Sequence, residues 1–335
     1  MHKSQMLFIS IIYSFLFSFN IFAINPNIVK SINSIDFSQI TYIAPASWPS
    51  ESEWNKINKI LKITKTVNEK SIHNNSIIYH AADDKTRFNN LLNALNQDTQ
   101  YLWCIRGGYG SARLLDDLIS MQKPIKPKIL IGYSDITFLH LFFNKWGWNT
   151  IHGAMPYDLT NDNVNPKNFS LLAEILSNKK GILSYPGLKA MNNFAKNSTS
   201  ITGEILGGNL TLLENSLGTS WQIDGENKII FIEDIGCPEY SIDRSLAHMK
   251  QAGIFQDAKA IIFGQFILPN KSVNLNYAIQ RFANEINIPV FSSQNFGHGN
   301  DNYPIIFGAT SIISPNSSKT NFTLDINYDF DRDMK

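Results

Sequence analysis

Cysteine is almost missing from this chain: Cys104 and Cys237 are the only two in 335 residues. Two thiols cannot build the disulfide framework that holds small secreted folds together, so any fold here must rest on a hydrophobic core. Both flank apolar, strand-like runs and are expected as small buried core residues. An excess of charge of one sign is missing too. The formal net charge is +1 and no Lys/Arg-rich run occurs, which argues against a nucleic-acid partner. No cluster of His, Cys, Asp and Glu has metal-ligand spacing, so neither a catalytic metal nor another cofactor is expected. The stretch Arg106-Gly107-Gly108-Tyr109-Gly110 completes neither Gly-x-Gly-x-x-Gly nor Gly-Lys-Ser/Thr, which removes the common phosphate-binding fingerprints. Internal repeats and low-complexity tracts are absent as well.

What is present is an ordinary globular composition, 43% hydrophobic and 17% charged. The length suits one large or two ordinary domains. The N-terminus stands apart. Met1 to Gln5 is short and basic, and Met6 to Ala23 is an almost uninterrupted apolar and aromatic run. With Ala23 as a cleavage point this reads as a signal peptide over residues 1–23, which would export the chain to the periplasm. Ile21 is larger than usual at its position, and the run is about long enough to span a bilayer, so an uncleaved membrane anchor is the alternative. No cysteine follows the run to carry a lipid.

Residues 24–40 are polar and read as a loose lead-in. From Thr41 onward strand-like and helix-like stretches alternate. Thr41–Ala44, Ile77–Tyr79, Tyr101–Ile105 and Lys128–Ile131 have strand character. Glu51–Ile63, Asp84–Leu95, Ser111–Ser120 and Ile136–Phe143 have helical spacing. Such alternation predicts an α/β domain with a parallel sheet covered on both faces, over residues 41–160. Residues 161–200, rich in Asn, Lys and Ser, read as an inter-domain linker with one helical stretch. A second, smaller α/β unit over 201–335 ends in a β-rich tail whose alternation suggests edge strands. In it, Glu233-Asp234 closes the strand Lys228–Ile232, and His298 lies in the glycine-flanked loop Phe296-Gly297-His298-Gly299.

The densest chemistry lies at Gly132-Tyr133-Ser134-Asp135. A serine between a buried strand and a helix is held out at the carboxyl edge of a sheet, where nucleophilic serines work. The Asp135 N–H, at the helix start, is placed to stabilise negative charge. Gly-x-Ser-x-Ile lacks the last glycine of the usual nucleophile elbow, and a helix-capping serine is the competing reading. A serine nucleophile needs a base and an orienting carboxylate. Of the seven histidines, His2 lies in the export segment, and His73 and His80 lie in or beside a polar stretch. His140 belongs to an apolar helix and His248 to a helix face. His152 and His298 precede glycine in loops after strands, the setting of site residues. Glu233 ends a strand, and paired glycines before a helix can offer N–H groups to an oxyanion.

The motifs Arg106–Gly110, Gly132–Asp135, Gly207–Leu210, Ile232–Asp234, Tyr240–Arg244 and Phe296–Gly299 stand in the order and approximate spacing of the LD-carboxypeptidases. This family of serine peptidases acts in peptidoglycan recycling and includes the microcin C immunity peptidases. The resemblance runs from about Thr41 to Ala309. It implies Ser134 as nucleophile, His298 as base and Glu233 as its orienting carboxylate, with the backbone N–H groups of Gly108 and Asp135 as oxyanion hole. Arg106, Tyr109 and Asn209 are the candidate substrate contacts. It also implies a flavodoxin-like first half, a homodimer and a muropeptide or peptidoglycan stem peptide as substrate. On that basis the expected activity is removal of the terminal D-alanine from the tetrapeptide stem, with cleavage inside longer stems as an extension. A microcin-type peptidase is the alternative within the family. An α/β-hydrolase esterase lacks support because no His-Gly-Gly-Gly run occurs. An exported solute-binding protein, also two α/β lobes, is the alternative from another class.

Overall fold

In the computed structural model, residues 25–63, 79–270, 274–318 and 320–333 are described. The export segment 1–23, His73, and Ile77 and Ile78 of the expected second strand lie outside the described residues. Four short strands of almost unbroken apolar sequence form a parallel sheet: β1 (Ile40–Ile43), β2 (Tyr101–Cys104), β3 (Ile129–Gly132) and β4 (Thr150–His152). Every residue of all four is buried, as expected of strands with both faces covered. The intervening helices follow their caps. The helix Glu51–Leu61 opens on a capping box, with the Ser50 hydroxyl accepting from the Glu53 N–H and Glu53 accepting from the Ser50 N–H. Asp83 caps Asp84–Leu95 by accepting from the Thr86 N–H and hydroxyl.

The second half is a barrel. Its strands are β5 (Lys180–Ala190), β6 (Ile201–Asn209), β7 (Lys228–Ile235), β8 (Ala260–Ile267) and β9 (Val290–Ser292). The chain then places β10 (Ile305–Phe307) back in the first sheet, antiparallel to β4, before β11 (Thr310–Pro315) and β12 (Phe322–Asp329). The barrel closes in the order β11-β12-β5-β9-β8-β7-β6. The run β6-β7-β8-β9 is parallel, and the other joints are antiparallel.

Three sequence expectations shift. Residues 24–40, read as a loose lead-in, contain the helix Pro26–Asn33, whose Ile28 and Ile32 are buried as it packs on the helix Pro166–Asn178. The expected linker 161–200 holds that second helix and the whole of β5, whose pairing with β12 and β9 makes it a barrel stave. Its sequence gave no sign of this, because Pro186-Gly187 reads as a turn and splits the strand's few buried positions, Leu183, Tyr185 and Leu188. The tail strands β11 and β12 are interior members of a closed barrel, with neighbours on both sides. The halves meet where β6 ends: the Asn209 N–H donates to the Thr137 hydroxyl, 3.1 Å away, at the start of the helix Thr137–Lys145.

Candidate active site

β3 runs out at Gly132, and the chain turns through Ser134, whose φ is +63°. A non-glycine residue in this left-handed region is strained by roughly 1–3 kcal/mol and persists only where its surroundings hold it. The restraints are visible. Asp135, buried immediately behind, accepts from the Ser111 N–H at 2.8 Å, and the Ser111 hydroxyl donates to the Asp135 carbonyl. These bonds staple the serine turn to the loop Arg106–Gly110. The loop abuts the serine: a Cβ added to Gly107 would lie 3.0 Å from the Ser134 Cβ and 3.3 Å from its Oγ. Gly108 has φ +99°, and a side chain there would collide with the Ser47 hydroxyl at 2.3 Å, so only glycine fits. Ser47 accepts from the Tyr109 N–H at 3.2 Å, and its own N–H donates to the Gly107 carbonyl at 3.0 Å.

Beneath the loop lies Arg87, fully buried. Its guanidinium donates to the carbonyls of Ala82, Pro45 and Gly110 and pairs with Asp84. Sequence reading placed the helix Asp84–Leu95 around it without singling it out. Its signal, a lone arginine beside apolar Phe88 and Leu91, is too common to single out. At the rim Arg106 donates to the Trp48 carbonyl and lies 4.2 Å above the Tyr157 ring. Tyr109 is half exposed and stacks on His80, with Tyr79 edge-on to both.

Glu233 and His298 come from the barrel. Glu233, expected at a strand end, lies inside β7, where the pairing with β8 is irregular: Ile232 faces Phe263 but Asp234 faces Phe266. Gly264 and Gln265 thus oppose a single residue, a bulge of the kind that re-aims a side chain beside a site. The bulge also grips the histidine loop. The Gln265 N–H donates to the Phe296 carbonyl at 2.8 Å, and its side-chain amide donates to the carbonyls of Gln294 and Asp301. From the other side, buried Asn168 accepts from the Asn302 N–H at 3.0 Å and donates to the Asn300 carbonyl at 2.9 Å. Nothing local marks Gln265 or Asn168 in the sequence, since their partners lie 29–36 and 132–134 residues away.

The result is a buried ion-pair geometry. The His298 Nδ1 hydrogen-bonds the Glu233 Oε2, with side-chain exposures of 8% and 0%. A carboxylate only accepts, so Nδ1 carries the proton and Nε2 presents a lone pair in the neutral ring. Nε2 is buried and has no hydrogen-bond partner among the described residues. Burial by itself would push the imidazole pKa down. The charge and hydrogen bond of Glu233, with Asp234 and Asp158 behind it, turn the shift upward. Burial also raises Glu233 above its ordinary value, the imidazole pulling against it. The ring packs 4.9 Å from that of Tyr133, the residue before Ser134.

The structure therefore brings Ser134, Gly108 and Asp135 to one end of the first sheet, and sets Glu233 and His298 against it from the barrel. The remaining histidines part from the site. His140 is core, as expected, its Nε2 2.9 Å from the Gly132 carbonyl, and burial lowers its pKa to about 4. His248 pairs with Glu214 on the surface. His152, the other loop candidate, is the last residue of β4 and is wholly buried among Tyr133, Phe231 and Phe307. Burial drives its pKa well below the ordinary value, so it is held neutral. Asn209, a candidate substrate contact, is buried and spends its side-chain oxygen on capping the helix Leu210–Asn215. Cys104 is buried, whereas Cys237 is only half buried, 3.1 Å from the Thr211 hydroxyl.

Comparison with known proteins places this geometry in context. Residues 40–153 match the LD-carboxypeptidase N-terminal domain, and residues 202–313 match the C-terminal domain. A putative carboxypeptidase of Rickettsia conorii is 40% identical over 284 residues, covering 84% of this chain and 89% of that protein. The murein tetrapeptide carboxypeptidase of Pseudomonas aeruginosa is 29% identical over 246 residues, covering 71% and 80% respectively. The crystal structure of a muramoyltetrapeptide carboxypeptidase from Oxalobacter formigenes superposes with a TM-score of 0.72 at 23% identity. That match covers 87% of this chain and 99% of the other, and shows a shared fold.

Proposed function

Because the chain belongs to the LD-carboxypeptidase family of serine-type hydrolases, we propose that it removes the terminal D-alanine from peptidoglycan stem tetrapeptides, with Ser134, His298 and Glu233 as its triad. The observation that carries this reading is the buried Glu233–His298 pair, whose imidazole packs 4.9 Å from the ring of Tyr133, the residue before the strained Ser134. In the reaction the Ser134 hydroxyl attacks the carbonyl of the L,D-peptide bond while the His298 Nε2 takes its proton. The N–H groups of Gly108 and Asp135 receive the developing oxyanion, each worth roughly 2.7–4 kcal/mol at the transition state. His298 returns the proton to the amine of the departing D-alanine. A water molecule, activated by the same nitrogen, then releases the acyl group from Ser134. Glu233 keeps Nδ1 protonated and balances the imidazolium. The Ser134–His298 hydrogen bond closes when substrate is bound, as such contacts often do.

The export signal read in residues 1–23 supports a periplasmic enzyme working on wall-derived peptides, and the family resemblance supports a homodimer. The test uses the purified chain without residues 1–23 and defined tri-, tetra- and pentapeptide muropeptides, with products read by mass. Loss of one alanine from the tetrapeptide, abolished by Ser134→Ala, is expected; full turnover by Ser134→Ala would refute the assignment. Cleavage within the pentapeptide would add endopeptidase activity.

One feature favours a second reading within the family. Tyr79 and Tyr109, 57% and 50% exposed, form with His80 an aromatic surface next to the glycine loop. Such a face suits a nucleobase, as a microcin-type peptidase requires. Faster cleavage of a peptidyl nucleotide than of the muropeptide would establish it.

A further inference from the structure

Asp158 has no part in the reaction just described, yet it is tied to it. It lies in the short helical turn Pro156–Thr160, where its Oδ2 accepts from the Met155 N–H at 2.7 Å. That bond is a local cap and needs no further explanation. The other oxygen does something a cap does not: Oδ1 accepts from the Tyr133 hydroxyl, also at 2.7 Å, across 25 residues of sequence. Tyr133 immediately precedes Ser134, and its ring is the face against which the His298 imidazole packs. Two bonds thus immobilise the carboxylate, the carboxylate fixes the phenol, and the phenol walls the imidazole, with His152 edge-on to the same ring.

We infer that Asp158, acting through the Tyr133 phenol, is a positioning residue for His298: the pair sets the plane of the imidazole and adds a second negative charge behind the imidazolium. The inference rests on the triad reading above. Electrostatics run in the same direction. Burial raises Asp158 to about 6, with the Met155 N–H, the Tyr133 hydroxyl and His298 opposing, so it is ionised at neutral pH. Its charge then acts on His298 with the same sign as those of Glu233 and Asp234. The groups facing this cluster are Tyr133, Tyr157 and His152, with Glu53 hydrogen-bonded to Tyr157 and Arg106 above its ring. Tyr133 stays protonated because burial holds its pKa well above the ordinary phenol value, so it remains a donor.

The test compares the mature chain with Asp158→Asn and Tyr133→Phe, each checked for an unchanged thermal transition. Two readouts are taken: the His298 imidazole pKa by NMR titration of the free enzyme, and kcat and KM for the tetrapeptide between pH 5 and 9. Asp158→Asn should lower the imidazole pKa by roughly half a unit and move the acid limb of kcat/KM down with it. Its kcat should fall on the order of tenfold with KM within about twofold. Tyr133→Phe should lower kcat similarly with a smaller pKa shift. If both variants keep the wild-type pKa and a kcat within about twofold, the inference is wrong. Absence of any turnover by the wild type would strike at the triad reading instead, and the NMR titration would still decide whether Asp158 acts on His298. Should Asp158→Asn fail to fold, Tyr133→Phe alone decides by the same criteria.

Discussion

At the scale of single residues the chemistry depends on keeping one imidazole basic and aimed. His298→Ala should cost nearly as much as Ser134→Ala, each on the order of 10⁶ in kcat, because the members of a triad act as a unit. Glu233→Gln, which keeps the shape but removes the charge, should cost on the order of 10⁴. The pH dependence follows from the same pair. In the proposed mechanism the working base is the neutral imidazole, and Glu233 raises its pKa above 6.5. Activity should therefore be lost as pH falls through that raised value, and the limb should move to lower pH in Glu233→Gln. A limb that stayed in place would separate His298 from the acid titration. Ser134, Glu233 and His298 were all legible beforehand, since each sits in a short motif whose neighbours are glycines or strand ends. Arg87, Ser47, Asp158 and Asn168 were not, because their bonds reach 23 to 134 residues away.

At the scale of elements, the histidine loop owes its shape to two supports, the β8 bulge at Gly264-Gln265 and the helix Pro166–Asn178. Asn168 is the keystone of the second, satisfying one donor and one acceptor of the loop from a buried position. Asn168→Ala removes the acceptor of the buried Asn302 N–H and leaves the Asn300 carbonyl only the Asn165 N–H, and should destabilise the protein by about 1–3 kcal/mol. The loss should appear as a lower kcat with KM little changed, measured beside the thermal transition; equal activity per folded molecule would show that the loop holds without it. This helix lies in the stretch that read as a linker. Its cap, Asn165 before Pro166, is a recognisable start signal, but the surrounding Asn, Lys and Ser obscured it. β5 was hidden because Pro186-Gly187 inside it reads as a turn and interrupts its strand pattern.

For the whole molecule, burial of neutral histidines sets how stability responds to acid. His140 has a folded pKa of about 4 against 6.5 unperturbed, and His152 is displaced in the same direction. Unfolding lets both take up protons below 6.5, so the unfolded state binds more protons there and stability falls with pH. By pH 4 His140 alone should cost about 3 kcal/mol. Asp158, raised to about 6, works against this between 6 and 3.8, where the folded state is the one that binds the proton. The midpoint of thermal unfolding should drop between pH 7 and 5; a flat profile would contradict the buried, neutral state of the two rings. The alternation of strands and helices in the first half and the serine turn after β3 were readable from sequence alone, because hydrophobic period and glycine placement are local signals, while the proposed triad positions came from the family resemblance. Barrel closure, the return of β10 to the first sheet, the bulge that aims Glu233 and the Tyr133–Asp158 bond were decided only by tertiary structure. Each is a pairing between distant segments, and which partners meet depends on how the whole core packs.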